Sequence, residues 1–443
     1  MASTEALPSV DGYPLVGIVP SYVRDPFACI DDIASRGDVV EYRFGYRRFV
    51  GVYHPDPVET VLVTEAAKFR KPDFLRQSGV EFLENGLFLS EGEQWGRQRS
   101  LLQPMFFLDR IRSYGETMVD HTRHVVDEWD DGEVVGLRDE LSRLTLRILA
   151  ETLLGVDIRE ERERTITRLS DAILEVSSPT SPAAFLPPWV PSLTRYRFRR
   201  AVGEFEDLVD ELLTERRDGD PSGDDLLGLM ATAEFEDGSR MDDETIRDQL
   251  MTFLLAGHET SSLALTFTLF YLGQYPGPRE RAVAEARDAA EDRLGPADVP
   301  DLTAVEWAIK EAMRLRPPAH VLFRQTEEPV TLAGHRIEEG VPLTLSAYHV
   351  HNDEEWYDDP DEYRPSRWAD GLEEDLPDYA YFPFGGGPRH CIGMRFAMLE
   401  MQLVLGTVLR SVEFELVTDP DDVGLTPATT LRPDSEIRVR IRK

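Results

Sequence analysis

The chain has 443 residues and a formal net charge of 48 − 83 = −35. Such a polyanion is a poor nucleic-acid ligand, and its acids are spread along the chain as a solvated surface rather than gathered into a tail. Two cysteines, Cys29 and Cys391, exclude a disulfide framework and fit a reducing compartment.

The length assures a sizeable core. Self-repulsion at this charge is destabilising in dilute buffer, and at ~1 M salt a Debye length of about 3 Å screens it. The composition therefore predicts a halophilic protein from a salty cytoplasm. Residues Met1 to Pro20 lack a basic segment followed by an apolar one, so neither signal peptide nor anchor is expected. The longest apolar run, Met251 to Leu272, is interrupted by His258-Glu259-Thr260 and predicts no membrane span. The expectation is a soluble, cytoplasmic chain with a flexible start over residues 1–10.

In chain order, Val39 to Phe44 and Arg48 to Tyr53, joined by Gly45-Tyr46-Arg47, read as a β-hairpin. A helix follows His54, with Val58, Val61 and Leu62 on one face. Asp73 to Ser90 reads as a loop with short helical pieces, whose Phe74, Phe82 and Phe88 are core or pocket. Glu93 to Gln103 is helical and puts Trp95 and Arg99 on one face, where indole N–H and guanidinium suit a carboxylate. Helical patterns then cover Arg110 to Trp129, Leu137 to Leu154, Arg159 to Val176 and Arg195 to Arg217. The proline-rich, apolar stretch Ser177 to Leu193 reads as a mobile lid rather than a plain linker.

Asp243 to Tyr275 reads as one long helix. Its middle, Ala256-Gly257-His258-Glu259-Thr260-Ser261-Ser262, sets small residues, an acid and hydroxyls in an apolar helix. Hydroxyls here can bond back to helix carbonyls and open the ladder. Glu311 and Arg314 lie in a helix ended by Pro317-Pro318. Their E-x-x-R spacing alone says nothing, since Glu161/Arg164 and Glu244/Arg247 share it. Val321 to Arg324 and Pro329 to Leu332 read as strands, His349 and His351 as a weak H-x-H pair on a strand, and Ile437 to Ile441 as an alternating strand.

The most informative stretch is Phe384-Gly385-Gly386-Gly387-Pro388-Arg389-His390-Cys391-Ile392-Gly393. Three glycines allow a tight, close-approaching backbone. Cys391 sits just ahead of a helix, where N–H groups and the dipole favour a thiolate.

The spacing F-x-x-G-x-R-x-C-x-G, on Phe384, Gly387, Arg389, Cys391 and Gly393, resembles the haem-binding signature of the cytochrome P-450 family. W-x-x-x-R at Trp95 and Arg99, A-G-x-E-T at Ala256 to Thr260, and E-x-x-R at Glu311 and Arg314 stand in that family's order. Tyr363-Arg364-Pro365-Ser366-Arg367-Trp368 resembles the segment that completes the last of these, with Tyr in place of Phe. The resemblance runs from about Asp11 to the end. It implies one mainly α domain, over residues 1–443, with a small β-rich region.

It also implies a haem b whose axial ligand is the Cys391 thiolate, a ligation known to favour O–O cleavage. Trp95, Arg99, Arg324 and Arg389 would hold its propionates. Ala256, with Gly257, would leave room above the iron. Thr260 would orient dioxygen and Glu259 would deliver protons. Glu311, Arg314 and Arg367 would form a buried structural ion network. The activity implied is a monooxygenase that inserts one atom of O₂ into an apolar substrate such as a fatty acid, terpenoid or steroid-like molecule. Electrons would come from a separate ferredoxin or flavoprotein, docking near Arg97, Arg110, Arg112 and Arg395. Phe185, Leu186, Phe253, Val321, Leu322 and Pro427 to Thr430 would join Phe74, Phe82 and Phe88 as pocket walls. Two rivals are a gas-sensing or gas-carrying haem protein and a peroxide-driven peroxygenase. The Glu259-Thr260 pair argues against both.

Overall fold

The computed structural model describes residues 6–77, 83–156, 158, 160–177, 192–218, 225–369 and 371–443. Phe82, Phe185, Leu186 and nearly all of the expected lid lie outside these residues.

Ten helices of eight residues or more occur among the described residues: α1 (Pro26–Ala34), α2 (Gly92–Leu102), α3 (Gly115–Glu128), α4 (Leu137–Leu154), α5 (Glu160–Ser177), α6 (Leu193–Asp218), α7 (Asp243–Gln274), α8 (Pro276–Asp288), α9 (Thr303–Leu315) and α10 (Met394–Ser411). The expected helix over Arg110 to Trp129 is two pieces, Leu108–Ser113 and α3, broken at Tyr114 ahead of Gly115. A Cβ on Gly115 would meet Pro296 at 2.1 Å, so the chain turns there to pack closely.

The β-rich part is a six-stranded sheet in the order β1 (Ser9–Val10), β2 (Val39–Phe44), β3 (Arg47–Val52), β9 (Pro342–Ser346), β6 (Val321–Thr326), β4 (Phe69–Arg70). The β2–β3 hairpin pairs Phe44 with Arg47, so its loop is the two residues Gly45-Tyr46. Gly45 takes φ +64, as such tight turns require. The strand β13 (Arg438–Arg442) alternates as expected, with Val439 and Ile441 buried between β10 (Glu413–Leu416) and β5 (Val134–Gly136). Beside them lie two ribbons, β7 (Val330–Leu332) with β8 (His335–Ile337) and β11 (Leu425–Pro427) with β12 (Leu431–Pro433).

The helix α7 is the spine. Asp242 caps it by accepting from the Thr245 N–H at 2.8 Å, and residues 261–272 near its end are all buried. It packs on α4, α9 and α10. The approach of α4 explains Gly257: a Cβ there would meet Leu149 Cδ1 at 2.2 Å. Gly257 therefore serves helix packing, not the open space expected of it. Thr145 of α4 also donates to the His258 carbonyl at 2.9 Å, tying the two helices where they cross.

His349 and His351 lie on a short helix, Ala347–His351, rather than a strand. Ser346 caps it by accepting from His349 N–H at 3.3 Å. His351 accepts from the Phe382 N–H at 2.8 Å. Burial holds its imidazole low, near pKa 3. It is a structural acceptor, and no cluster of three or more metal-ligating side chains occurs among the described residues.

Candidate active site

Three elements converge on the cysteine loop: the turn Thr60–Thr64, α2 and the turn Gln103–Phe106. The loop closes on itself where Cys391 N–H donates to the Phe384 carbonyl at 2.9 Å. Gly387, at φ +62, lies so close to the turn Thr60–Thr64 that a Cβ would fall 1.7 Å from the Leu62 carbonyl oxygen. Arg99 of α2 reaches across to donate to the His390 carbonyl at 3.0 Å. Phe106 connects the loop to the spine: it stacks on Phe253 of α7 at 5.8 Å and approaches the Cβ direction of Gly393 at 3.8 Å.

Cys391 is accessible to solvent-sized probes, yet the protein surrounds it and desolvation is the largest influence on its thiol. It therefore faces an interior space rather than bulk water. Ala256 is likewise accessible in the middle of α7, between buried turns. An exposed thiol surrounded by protein, on a loop that Phe106 links to the spine, is what a flat cofactor with an open face requires.

Burial raises the Cys391 thiol pKa, against the Gly393 N–H and the Arg99 cation, which lower it. The expected preference for thiolate at a helix start thus loses to desolvation in the bare protein. A metal ion reverses that balance, because it deprotonates a coordinating thiol outright.

The edge of the space is cationic. Arg324 of β6 is 6% exposed and has Lys71 and Arg389 as neighbours. Burial and the Arg389 charge draw its pKa down to about 10, and only Glu91 opposes them. Its guanidinium donates to the adjacent Phe323 carbonyl at 2.9 Å. Lys71 is pulled well below the usual ammonium range by burial and then by both arginines. Glu91 already pairs with Arg389, and it accepts the Lys71 backbone N–H at 2.6 Å. Three cations share one carboxylate, and buried cations of this kind require anions. The two propionates of a haem meet that need. Lys71 and Glu91 were missed in the sequence, where a lone Lys-Pro and a Glu preceding a helix carry no distinctive spacing.

Trp95 and Arg99 do not converge on one point. Arg389 stacks over the Trp95 ring at 4.6 Å and donates to the Ser90 carbonyl at 2.9 Å. Arg99 bonds to Gln103 and to both the carbonyl and the ring of His390.

On α7, Thr260 Oγ1 donates to the Ala256 carbonyl at 2.9 Å. The back-bond is as expected, but α7 stays α-helical throughout. Glu259 turns away from Thr260's partner. Its Oε1 accepts Arg432 Nε at 2.9 Å and the Thr430 hydroxyl. Arg432 and Thr430 lie 173 and 171 residues away, beyond the reach of local pattern reading.

Glu311 is fully buried and accepts from Arg314 Nε and Nη2 at 3.0 Å each. It also accepts from Arg367 Nε at 2.8 Å and from Trp368 Nε1 at 3.0 Å. The expected trio is thus one assembled network, with Trp368 a fourth member.

A thiol-bearing loop beneath a long central helix, rimmed by cations in a mainly α chain, defines the haem-thiolate class of oxidoreductase. The family model of cytochrome P450 matches residues 7–440. Cyclooctatin synthase of Streptomyces melanosporofaciens is 33% identical over 90% of this chain and 87% of its own length. Pentalenene oxygenase of Streptomyces avermitilis is 30% identical over 97% of this chain and 95% of its own. A bifunctional cytochrome P450/NADPH–P450 reductase of Bacillus subtilis is 32% identical over 82% of this chain, which covers 36% of that protein. The chain belongs to the cytochrome P450 family. It is a haem-thiolate monooxygenase with haem b held by a cysteine thiolate, and it uses O₂, an organic substrate and a redox partner.

Proposed function

We propose that Cys391 is the axial thiolate and that the chain hydroxylates or epoxidises an apolar, terpenoid-like substrate. The observation that carries this is the exposed yet protein-surrounded Cys391 on its glycine loop; Cys29, by contrast, is buried in a separate cluster with Tyr42, Phe49 and Tyr53. When bound, the haem supplies the redox chemistry of O₂ activation. The chain's own residues do the rest.

Arg324, Lys71 and Arg389 would hold the propionates of a bound haem, and Trp95 braces Arg389 by cation–π contact, which is worth ~0.5–2 kcal/mol. Arg99 fixes the loop through the His390 carbonyl. Phe384 and Gly393 shape its two sides, and Ala256 leaves room for O₂ and substrate. The Thr260 hydroxyl presents a proton donor to the reacting oxygen, fed by Glu259 once it leaves Arg432. Glu311, Arg314 and Arg367 keep the fold and the haem in place.

The redox partner is a separate ferredoxin or flavoprotein. Its docking surface is Arg112, Arg395 and the exposed Phe107, Leu108 and Met394 near the cysteine loop. Arg97 leaves that set because it binds Asp237 and Ser239, and Arg110 bonds to Tyr114. No helix of the described residues is long and apolar enough to cross a membrane. Residues 1–443 work as one domain.

Two expected results test this reading. Cyclic terpene hydrocarbons, titrated into the ferric holoprotein, shift the Soret band from low to high spin. A shift with fatty acids alone would overturn the terpenoid assignment. The halophilic reading predicts that the melting temperature rises between dilute and molar KCl, as screening relieves the repulsion of a −35 chain. A flat or falling curve removes that adaptation.

A further inference from the structure

The turn that leads into α2 is fastened to the spine by an acid. Asn85 and Leu87 point their backbone N–H groups at α7, where Asp248 Oδ2 accepts the first at 2.8 Å and Gln249 Oε1 the second at 3.0 Å. The Asn85 side-chain amide donates to Glu244 Oε1 at 3.3 Å. Between them Gly86 lies flush on the helix: a Cβ there would fall 2.4 Å from the Thr252 hydroxyl and 2.9 Å from the Asp248 carbonyl oxygen. Gln98 of α2 closes the other side, donating to the Asn85 carbonyl at 2.7 Å and accepting from the Ser90 hydroxyl at 2.8 Å. Asp248 is 6% exposed and Gln249 is fully buried. Asn85 to Ser90 is therefore a clasped turn, and it carries Phe88, 46% exposed, with Lys71 Nζ 4.4 Å from its ring centre.

A carboxylate that accepts N–H groups is ordinarily held in its charged form. Here desolvation wins. Burial pushes the Asp248 pKa up to about 6, against the backbone and side-chain N–H groups of Asn85, which lower it. Of the charges around it on α7, Glu244 raises it and Arg247 lowers it. Arg247 is itself engaged by Asp210 of α6 at 2.7 and 3.0 Å, and Glu84 faces Arg76 at 3.6 Å. Unclasped, the carboxyl would meet water and return to about 4. The clasped state thus binds a proton more tightly than the released one. Its gain in stability is fully present below about pH 4 and is lost as pH rises through about 6. An asparagine would fill the same volume, accept the same N–H and carry no charge, so a purely structural clasp gives no reason for an acid.

We propose that Asp248 is a positioning residue whose charge sets how firmly the turn Asn85 to Ser90, with its Phe88, stands against α7, and so how tightly the apolar substrate is retained. The turn is firm when Asp248 is neutral and loose when it is charged. The substrate half of this rests on Phe88 as a wall of the proposed apolar pocket. Asp248 acts through the turn and touches neither haem nor substrate.

Hydrogen exchange of the ferric holoprotein tests the clasp without any substrate. The quantity read is the protection factor of the Asn85 and Leu87 amides, corrected for intrinsic exchange. In the wild type it falls on the order of tenfold from pH 5 to pH 8, as a carboxyl at about 6 clasped and about 4 released requires. In Asp248→Asn the fall is absent, and protection at pH 8 matches the acid value. In Asp248→Ala, which lacks the acceptor, protection is low at both pH values. The dissociation constant of a cyclic terpene hydrocarbon, read from its spin shift, rises in the wild type by up to the same factor, because only the clasped fraction binds. It stays level in Asp248→Asn. Equal wild-type protection at the two pH values overturns the proposal, as does a fall that survives in Asp248→Asn. Protection that follows Asp248 while the dissociation constant stays level overturns the link to substrate. A terpene without any spin shift counts instead against the terpenoid reading, and the exchange data still decide the clasp.

Discussion

Glu311→Ala lowers the stability of the holoprotein by about 3–5 kcal/mol and releases haem during denaturation at a lower midpoint. The carboxylate is the hub of the network: Arg314 is fully buried, Arg367 has a side chain 5% exposed, and both donate to Glu311. Removing the anion leaves Arg314 in the interior with only the carbonyls of His351, Pro360 and Glu362. It also frees the Trp368 indole N–H and the Arg364 backbone N–H. Several donors thus lose one acceptor together. The loss is a large share of the ~5–15 kcal/mol that typical folds possess. The fold-to-haem link is direct, because Trp368 follows Arg367 on the same turn and packs on Tyr381 just before the cysteine loop. Urea titration followed by Soret absorbance and by far-UV dichroism measures it. A midpoint within error of the wild type would show that the network is dispensable.

Thr260→Ala has the opposite signature, a near-normal fold with failed chemistry. The hydroxyl's hydrogen bond is to its own helix at Ala256, so its removal costs about 1 kcal/mol. The loss in turnover is larger: with the proton donor gone, reductant is still consumed and oxygen leaves as hydrogen peroxide. Product per reductant falls by roughly one to two orders of magnitude, within reach of the ~10²–10⁴-fold contribution of general acids. Peroxide assay beside product analysis reads both quantities. Unaltered coupling would end the proposed role.

What the sequence revealed follows from how each feature is encoded. The long helices were legible because their apolar faces repeat locally: α4 runs over Leu137–Leu154 as its periodicity predicts. The cysteine loop was legible because glycines and an arginine must stand at fixed offsets to wrap one atom. Partners distant in sequence were not legible. Nothing near Glu259 announces Arg432, and nothing near Arg324 announces Lys71 or Glu91. Gly257 was misread for the same reason: a glycine in a helix signals a close approach, but not of what, and here it is Leu149. For the Cys391 thiol the helix dipole and burial oppose each other, and burial, a property of the whole fold, is not written in any local stretch. The back-bond of Thr260 was foreseen from its hydroxyl, while the unbroken helix around it depends on the packing of α4 and α10.

The most direct test of the account is the absorption spectrum of the reduced protein with carbon monoxide, taken in molar KCl, with Cys29→Ser and Cys391→Ser beside the wild type. The account predicts a strongly red-shifted Soret band in the wild type and in Cys29→Ser, and its loss in Cys391→Ser. A band at the position of histidine-ligated haem in the folded wild type, or its red shift surviving in Cys391→Ser, would contradict the assignment of Cys391 as the ligand.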